Sequence, residues 1–237
     1  MTTLAILTAA GSGTRLGRDL PKALVELGGL PLVLHAARRL AASGVVDGLV
    51  VTAPAGLAAV VTEVVARDPH IEVPVRVVEG GATRQASVAT GLRMARAADD
   101  VVLVHDAARP LVPPSLVRRV VEAVRSGHRA VVPGLPVTDT IKQVIPGPGA
   151  ELVVGTPDRS LLRAVQTPQG FERGLLVRAH EAGAVRAAAE HLAATDDAGL
   201  VEALGEKVHI VPGDDLAFKI TTERDLWLAE LVLQEAA

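Results

Sequence analysis

The chain has no cysteine and no tyrosine, and Trp227, Phe171 and Phe218 are its only large aromatic side chains. Without cysteine there are no disulfides, no thiolate metal sites and no cysteine nucleophile. With so few rings, the stacking platforms of single-strand nucleic-acid binders cannot be built. A bound base is therefore expected to be recognised by hydrogen bonds and small-residue walls. Excess positive charge is also missing. The formal net charge is −3 over 237 residues, the wrong balance for holding nucleic acid through many phosphates. Long hydrophobic runs are absent too. Although 49% of the residues are hydrophobic, Gly, Pro or charge interrupts each run before about 18 residues, the length of a membrane span. No membrane partner is expected. The chain enters Leu4-Ala5-Ile6-Leu7 with no basic segment or export signal before it, so a cytoplasmic location is expected.

What is present is alternation. Short apolar runs at Leu4–Ala9, Leu49–Val51, Val75–Val78, Val101–Val104, Ala130–Val132 and Val208–Val211 read as buried strands. Helical stretches lie between them at Pro31–Ser43, Leu57–Arg67, Thr83–Ala97 and Pro114–Arg125, and a tail at Glu223–Glu235 closes the chain. This pattern predicts an α/β fold with a doubly wound, mostly parallel sheet, in a single domain over 1–237. Ligands in such sheets sit beyond the carboxyl ends of strands, so the loops there carry the functional expectation. From Thr138 to Gly155 the alternation breaks into two short strands around Pro146-Gly147-Pro148-Gly149. This reads as a hairpin arm, 138–155, and a lone hairpin is marginal in water, which favours a partner subunit.

Three segments carry chemistry. Leu7 to Gly17 follows the first strand as LTAAGSGTRLG, and its glycines turn backbone amides toward an anion with no side chain in the way. Ala9, Ala10, Gly11, Ser12 and Gly13 form this candidate cradle. It is not the dinucleotide fingerprint, because Leu16 stands where the last glycine belongs, and no P-loop lysine follows. Arg15 and Lys22, the latter after Pro21, supply two cations for a polyphosphate and for the charge that develops during transfer. His105-Asp106-Ala107-Ala108-Arg109-Pro110 also follows a strand. There Asp106 suits a metal ion, directly or through water, or substrate hydroxyls. Arg109 suits a substrate phosphate as a fork. Glu79 to Ser87 ends a strand and opens a helix capped by Thr83. Gly80, Gly81 and Ser87 there either read a pyrimidine edge or merely start the helix. No two of the seven histidines have the helical spacing of a zinc site, and they are read as structural.

The motifs AAGSGTRLG…PK, GG…R…S, HDAARP, PVTDTIK, the Arg159 region with TPQGF, and FKIT occur in order from about residue 3 to residue 231. Together they resemble the 2-C-methyl-D-erythritol 4-phosphate cytidylyltransferase family. The resemblance implies a Rossmann-like fold, CTP and a sugar-alcohol phosphate as substrates, a Mg²⁺ requirement, and a homodimer joined by the hairpin arm. It places Ala9, Ala10, Gly11, Gly81 and Ser87 around cytosine or ribose. Arg15, Lys22 and Lys219 fall at the CTP phosphates, Asp106 at the acceptor hydroxyls near the metal, and Arg109, Thr140 and Arg159 at the acceptor phosphate. The chain departs from the family at Ala82, where an acidic residue is common, and at Gln85-Ala86. Thr195-Asp196-Asp197 resembles a Thr-Asp-Glu-type segment and is assigned no catalytic duty. The implied reaction is in-line attack by the acceptor phosphate on the α-phosphorus of CTP. A phosphate monoester is already largely deprotonated near neutral pH, so no strong base is needed. A sister enzyme acting on ribitol 5-phosphate is the nearest alternative, and a non-catalytic nucleotide sensor a more distant one.

Overall fold

A computed structural model describes residues 1–11, 20–184 and 195–235. Strand β1 (Thr2–Thr8) lies at the middle of an eight-stranded sheet. On one side it pairs in parallel with β4 (Gly48–Ala53), which pairs in parallel with β5 (Val75–Glu79). On the other side it pairs in parallel with β6 (Asp99–Asp106). These are the strands read from apolar runs; burial on both faces explains the hydrophobic centres of β1, β4 and β6, while β5, at the sheet edge, is only partly buried and carries Arg76. Ala5 and Leu7 enter the cluster formed with helices α1 (Leu32–Ala41), α2 (Ala58–Val65) and α4 (Pro114–Arg125). Ile6 enters the opposite cluster, with α3 (Arg84–Leu92), α5 (Arg173–Gly183) and α6 (Asp197–Glu202). The period-2 alternation of strand side chains divides the two layers.

Beyond β6 the sheet becomes mixed. Strand β11 (Gln169–Glu172) runs antiparallel between β6 and β7 (Ala130–Pro136), and β10 (Arg163–Val165) pairs antiparallel with the far end of β7. Strand β12 (His209–Pro212) joins β7 in parallel. Neither β10 nor β11 is announced by an apolar run. Gly170 on β11 is required by contact, since a Cβ there would lie 2.6 Å from Val120 on α4.

Two short strands, β2 (Glu26–Leu27) and β3 (Leu30–Pro31), form a hairpin ahead of α1. A third cluster joins Leu27, Leu32 and Leu111 to Leu226 and Ala229 of the tail helix α7 (Glu223–Glu235). Among the described residues, strands β8 (Gln143–Ile145) and β9 (Leu152–Gly155) pair only with each other. Ile145, Leu152 and Val153 on them are all at least half exposed.

One helix is shorter than its sequence suggests. The stretch expected to be helical to Ala97 ends at Leu92. There the amides of Met94 and Ala95 close three-residue turns onto Gly91 and Leu92. The Arg96 amide donates to Asp99 Oδ2 at 2.6 Å, which turns the chain into β6. No described helix is long and apolar enough to cross a membrane.

Phe171, fully buried on β11, is the largest side chain of the second cluster. Phe171→Ala is expected to lower unfolding free energy by about 3–5 kcal/mol in urea titration. A change below about 1 kcal/mol would contradict this packing.

Candidate active site

Parallel pairing puts Thr8, the last residue of β1, in register with Asp106, the last residue of β6. The chain beyond each strand end stays tied to its neighbour. The Ala107 amide donates to the Thr8 carbonyl at 3.0 Å, that of Ala9 to Thr52 at 3.0 Å, and that of Gly80 to Ala53 at 2.8 Å. Three loops thus meet at one sheet edge, as strand-end geometry demands. Between them lies a cleft of about 460 Å³. Thr8 through Gly11 form one wall, Gly81 through Arg84 with Ser87 another, and Asp106 through Ala108 a third, while Lys22, Lys219 and Thr221 reach in from the side.

The glycine-glycine corner is shaped by close approach. A Cβ on Gly81 would lie 2.4 Å from the Cβ of Ala86 and 2.9 Å from its carbonyl carbon. One on Gly80 would lie 2.6 Å from the Cβ of Ala10. Ser87 Oγ accepts from the Gly81 amide at 3.1 Å and donates to the Thr83 carbonyl at 2.9 Å. Thr83 caps α3 as its sequence suggests, accepting from the Ala86 amide at 3.0 Å.

Asp106 is 7% exposed and carries the electrostatics of the cleft. Its Oδ1 accepts from Arg84 Nε at 3.0 Å, and its Oδ2 from Lys219 Nζ at 2.8 Å. Burial pushes its pKa up, but the neighbouring charges of Arg84 and Lys219 outweigh this and hold it below the ordinary carboxylate range. Behind it, the Asp106 amide donates to Thr167 Oγ1 at 3.1 Å. Thr167 lies 2.9 Å from His105 Nδ1, whose Nε2 lies 3.1 Å from the Arg109 carbonyl. Burial pushes the His105 pKa down to about 4, so its ring is neutral near pH 7 and fastens the loop. Lys219 reaches the cleft because the Ile220 amide donates to the Ala108 carbonyl at 2.8 Å.

The cleft thus gathers Ala9, Ala10, Gly11, Lys22, Gly81, Ser87, Asp106 and Lys219 from separate motifs. Ser12, Gly13 and Arg15 lie outside the described residues. Arg109, Thr140 and Arg159 are not brought in within one chain. Arg109 donates to the carbonyls of Ala217 at 2.7 Å and Val165 at 3.3 Å, and burial lowers its pKa. Thr140 is exposed, and Arg159 donates to the Thr138 carbonyl at the foot of the hairpin. Arg84 was missed as a site residue. A signal for it existed, because a cation in the first turn of a helix opposes the macrodipole and needs a compensating partner.

The sequence matches the family model described as IspD: 2-C-methyl-D-erythritol 4-phosphate cytidylyltransferase over residues 3–235. The chain belongs to this family. The cytidylyltransferase of that name from Nocardia farcinica is 53% identical over 234 residues, covering 99% of this chain and 95% of the relative. That of Streptomyces avermitilis is 52% identical, covering 98% and 91%. Among solved structures, the cytidylyltransferase from Thermus thermophilus superposes with a TM-score of 0.73 at 39% identity, covering 97% of this chain and 98% of that one. The 4-diphosphocytidyl-2C-methyl-D-erythritol synthase from Anaerococcus prevotii gives a TM-score of 0.82 at 27% identity, covering 98% of each. Ribitol phosphate appears in none of these names, and that alternative is not favoured.

Because backbone as well as side chain crowds the missing Cβ of Gly81, Gly81→Ala of this cytidylyltransferase is expected to weaken CTP binding at least tenfold. Calorimetry would measure this, with circular dichroism unchanged. Unaltered affinity would remove this corner from the nucleotide site.

Proposed function

We propose that this cleft is where CTP and 2-C-methyl-D-erythritol 4-phosphate react. As a member of its family the chain is a cytidylyltransferase, transferring CMP to that acceptor and releasing pyrophosphate. The observation that carries the assignment of the site is the convergence of Lys22, Lys219 and Asp106 on one cleft walled by small residues. Ala9, Ala10, Gly11, Gly81 and Ser87 hold cytosine and ribose by backbone and hydroxyl groups, in keeping with the near absence of aromatic rings. Lys22 and Lys219 hold the triphosphate, and Ser12, Gly13 and Arg15, outside the described residues, are assigned to it from the sequence motif. Asp106 receives the acceptor hydroxyls.

The acceptor's own phosphate oxygen forms the new bond to the α-phosphorus while the bond to the bridging oxygen of pyrophosphate breaks. No proton need move, so the chain's contribution is placement and charge neutralisation. Lysine charge facing the α-phosphate and the leaving group stabilises what builds up there.

Among the described residues no group of three or more acidic or histidine side chains is arranged to hold a metal. Among the described residues lining the cleft, Asp106 is the one carboxylate. That donor set fits Mg²⁺, which is commonly held by one or two carboxylates together with substrate phosphates. When bound, the ion would add positive charge to the phosphates, with Asp106 as its protein contact.

The working enzyme is proposed to be a cytoplasmic homodimer, each chain a single domain. The hairpin 138–155 supports this, since its two strands are exposed, apolar and paired with no other described strand. Arg109, Thr140 and Arg159 meet the acceptor phosphate when a second subunit completes the site.

Three outcomes test these assignments. In a coupled pyrophosphate assay with the methylerythritol acceptor, CTP is expected to turn over at least tenfold faster than ATP, GTP or UTP; equal rates would refute the base site. Lys22→Ala is expected to cut kcat at least a hundredfold and CTP affinity by no more than about tenfold, since its charge counts for more in the transition state than in the bound ground state. Comparable losses in kinetics and calorimetry would count against that role. Arg159→Ala should raise the acceptor KM at least fivefold with the CTP KM unaltered, and an unmoved acceptor KM would exclude it.

A further inference from the structure

Asp106 is the visible end of a line of charged groups that runs behind the cleft. Arg84 spans two carboxylates with different nitrogens: Nε donates to Asp106 at 3.0 Å and Nη1 to Asp197 Oδ2 at 2.7 Å. Asp197 has no solvent exposure and does not line the cleft. Its other oxygen lies 2.9 Å from His180 Nε2 on α5. The amides of Asp197 and Ala198 each donate to Gln169 Oε1 at 3.2 Å, while Gln169 Nε2 donates to Asp196 at 2.7 Å. The start of α6 is thereby pinned to β11. On the solvent side, Lys219 completes the line with its side chain 41% exposed.

A buried carboxylate that lies away from the ligand cleft calls for a reason. Removing such a charge from water is costly, and a buried ion pair is weak evidence for stability, because apolar replacements often serve as well. What the pair does supply is direction. Arginine is a planar fork with its donors in fixed positions. Clamping one branch on Asp197 fixes where the other branch holds Asp106. The two cations on Asp106 thus differ in kind. Arg84 is anchored from behind by a second carboxylate, whereas the Lys219 side chain has no such second anchor among the described residues, is 41% exposed and can transfer to an arriving phosphate.

We infer that Arg84, clamped by Asp197 and His180, is a positioning residue that aims the Asp106 carboxylate at the acceptor and leaves Lys219 available for the nucleotide phosphates. The inference rests on the reading of Asp106 as an acceptor contact. It gives a task to Asp197, from which the sequence alone drew none.

The test is steady-state kinetics on Asp197→Asn, Arg84→Lys, Asp106→Asn and the Asp197→Asn/Asp106→Asn double variant, with folding followed by circular dichroism. Asp197→Asn is expected to lower kcat/KM for the acceptor at least tenfold while the CTP KM stays within twofold. Arg84→Lys should behave alike, because lysine keeps the charge but cannot bridge both carboxylates. Adding Asp197→Asn to Asp106→Asn should cost less than threefold more, since a residue that acts only through Asp106 has nothing left to position once that carboxylate is gone. Merely structural damage would multiply through the double variant or move both Michaelis constants together. Either result, or near-wild-type kinetics in Asp197→Asn, overturns the inference. If Asp197→Asn does not fold, Arg84→Lys decides by the same split. An Asp106→Asn enzyme as active as wild type would instead remove Asp106 from the acceptor site, and the inference with it.

Discussion

One carboxylate held between two cations organises this site. Asp106 is buried at the end of a central strand, where an isolated negative charge would be costly. It remains ionised because Arg84 and Lys219 each donate to one of its oxygens. The rest of the cleft follows from that compensation. Lys219 requires the chain before α7 to return against Ala108, and Arg84 requires the first turn of α3 to face β6. The helix start therefore presents a cation where its own dipole would prefer an anion.

The sheet makes these meetings possible. Parallel strands β5, β4, β1 and β6 all end at the same edge, so residues from positions 8, 53, 79 and 106 emerge side by side. Small residues then let the loops close in. The crowding at Gly80 and Gly81 leaves no room for side chains where the walls approach. A cleft built in this way offers amides, hydroxyls and cations but no ring to stack on. That suits an enzyme whose chemistry is the placement of phosphates.

Much of this was legible in the sequence because it obeyed strong local rules. The central strands are buried on both faces and so read as unbroken apolar runs, and Pro114 at the first position of α4 marks that helix start. Ala9 to Gly11, at the start of the glycine-rich segment, and HDAARP stood out because unusual residue types followed strands directly. Strands β10 and β11 escaped because they insert antiparallel and carry Arg, Gln and Gly in place of aliphatic runs. The Arg84–Asp197 pair escaped for a different reason. It joins residues 113 positions apart, and no local pattern reveals a partner at that separation. Asp197 was given no catalytic duty from the sequence, and it lies in the first turn of α6, which Asp196 caps by accepting from the Gly199 amide at 2.9 Å. Arg109 was read as a phosphate fork from its place in HDAARP, whereas Thr140 and Arg159 were expected through resemblance alone, and none of the three lines the cleft within one chain.

A crystal structure of the protein with a non-hydrolysable CTP analogue and Mg²⁺ would probe the shared carboxylate most directly. The triphosphate is expected over the turn from Thr8 to Gly11, with Lys22 and Lys219 bonded to phosphate oxygens and Arg84 still on Asp106. A triphosphate bound elsewhere, or an Arg84 that abandons Asp106 while Lys219 stays on it, would contradict this arrangement.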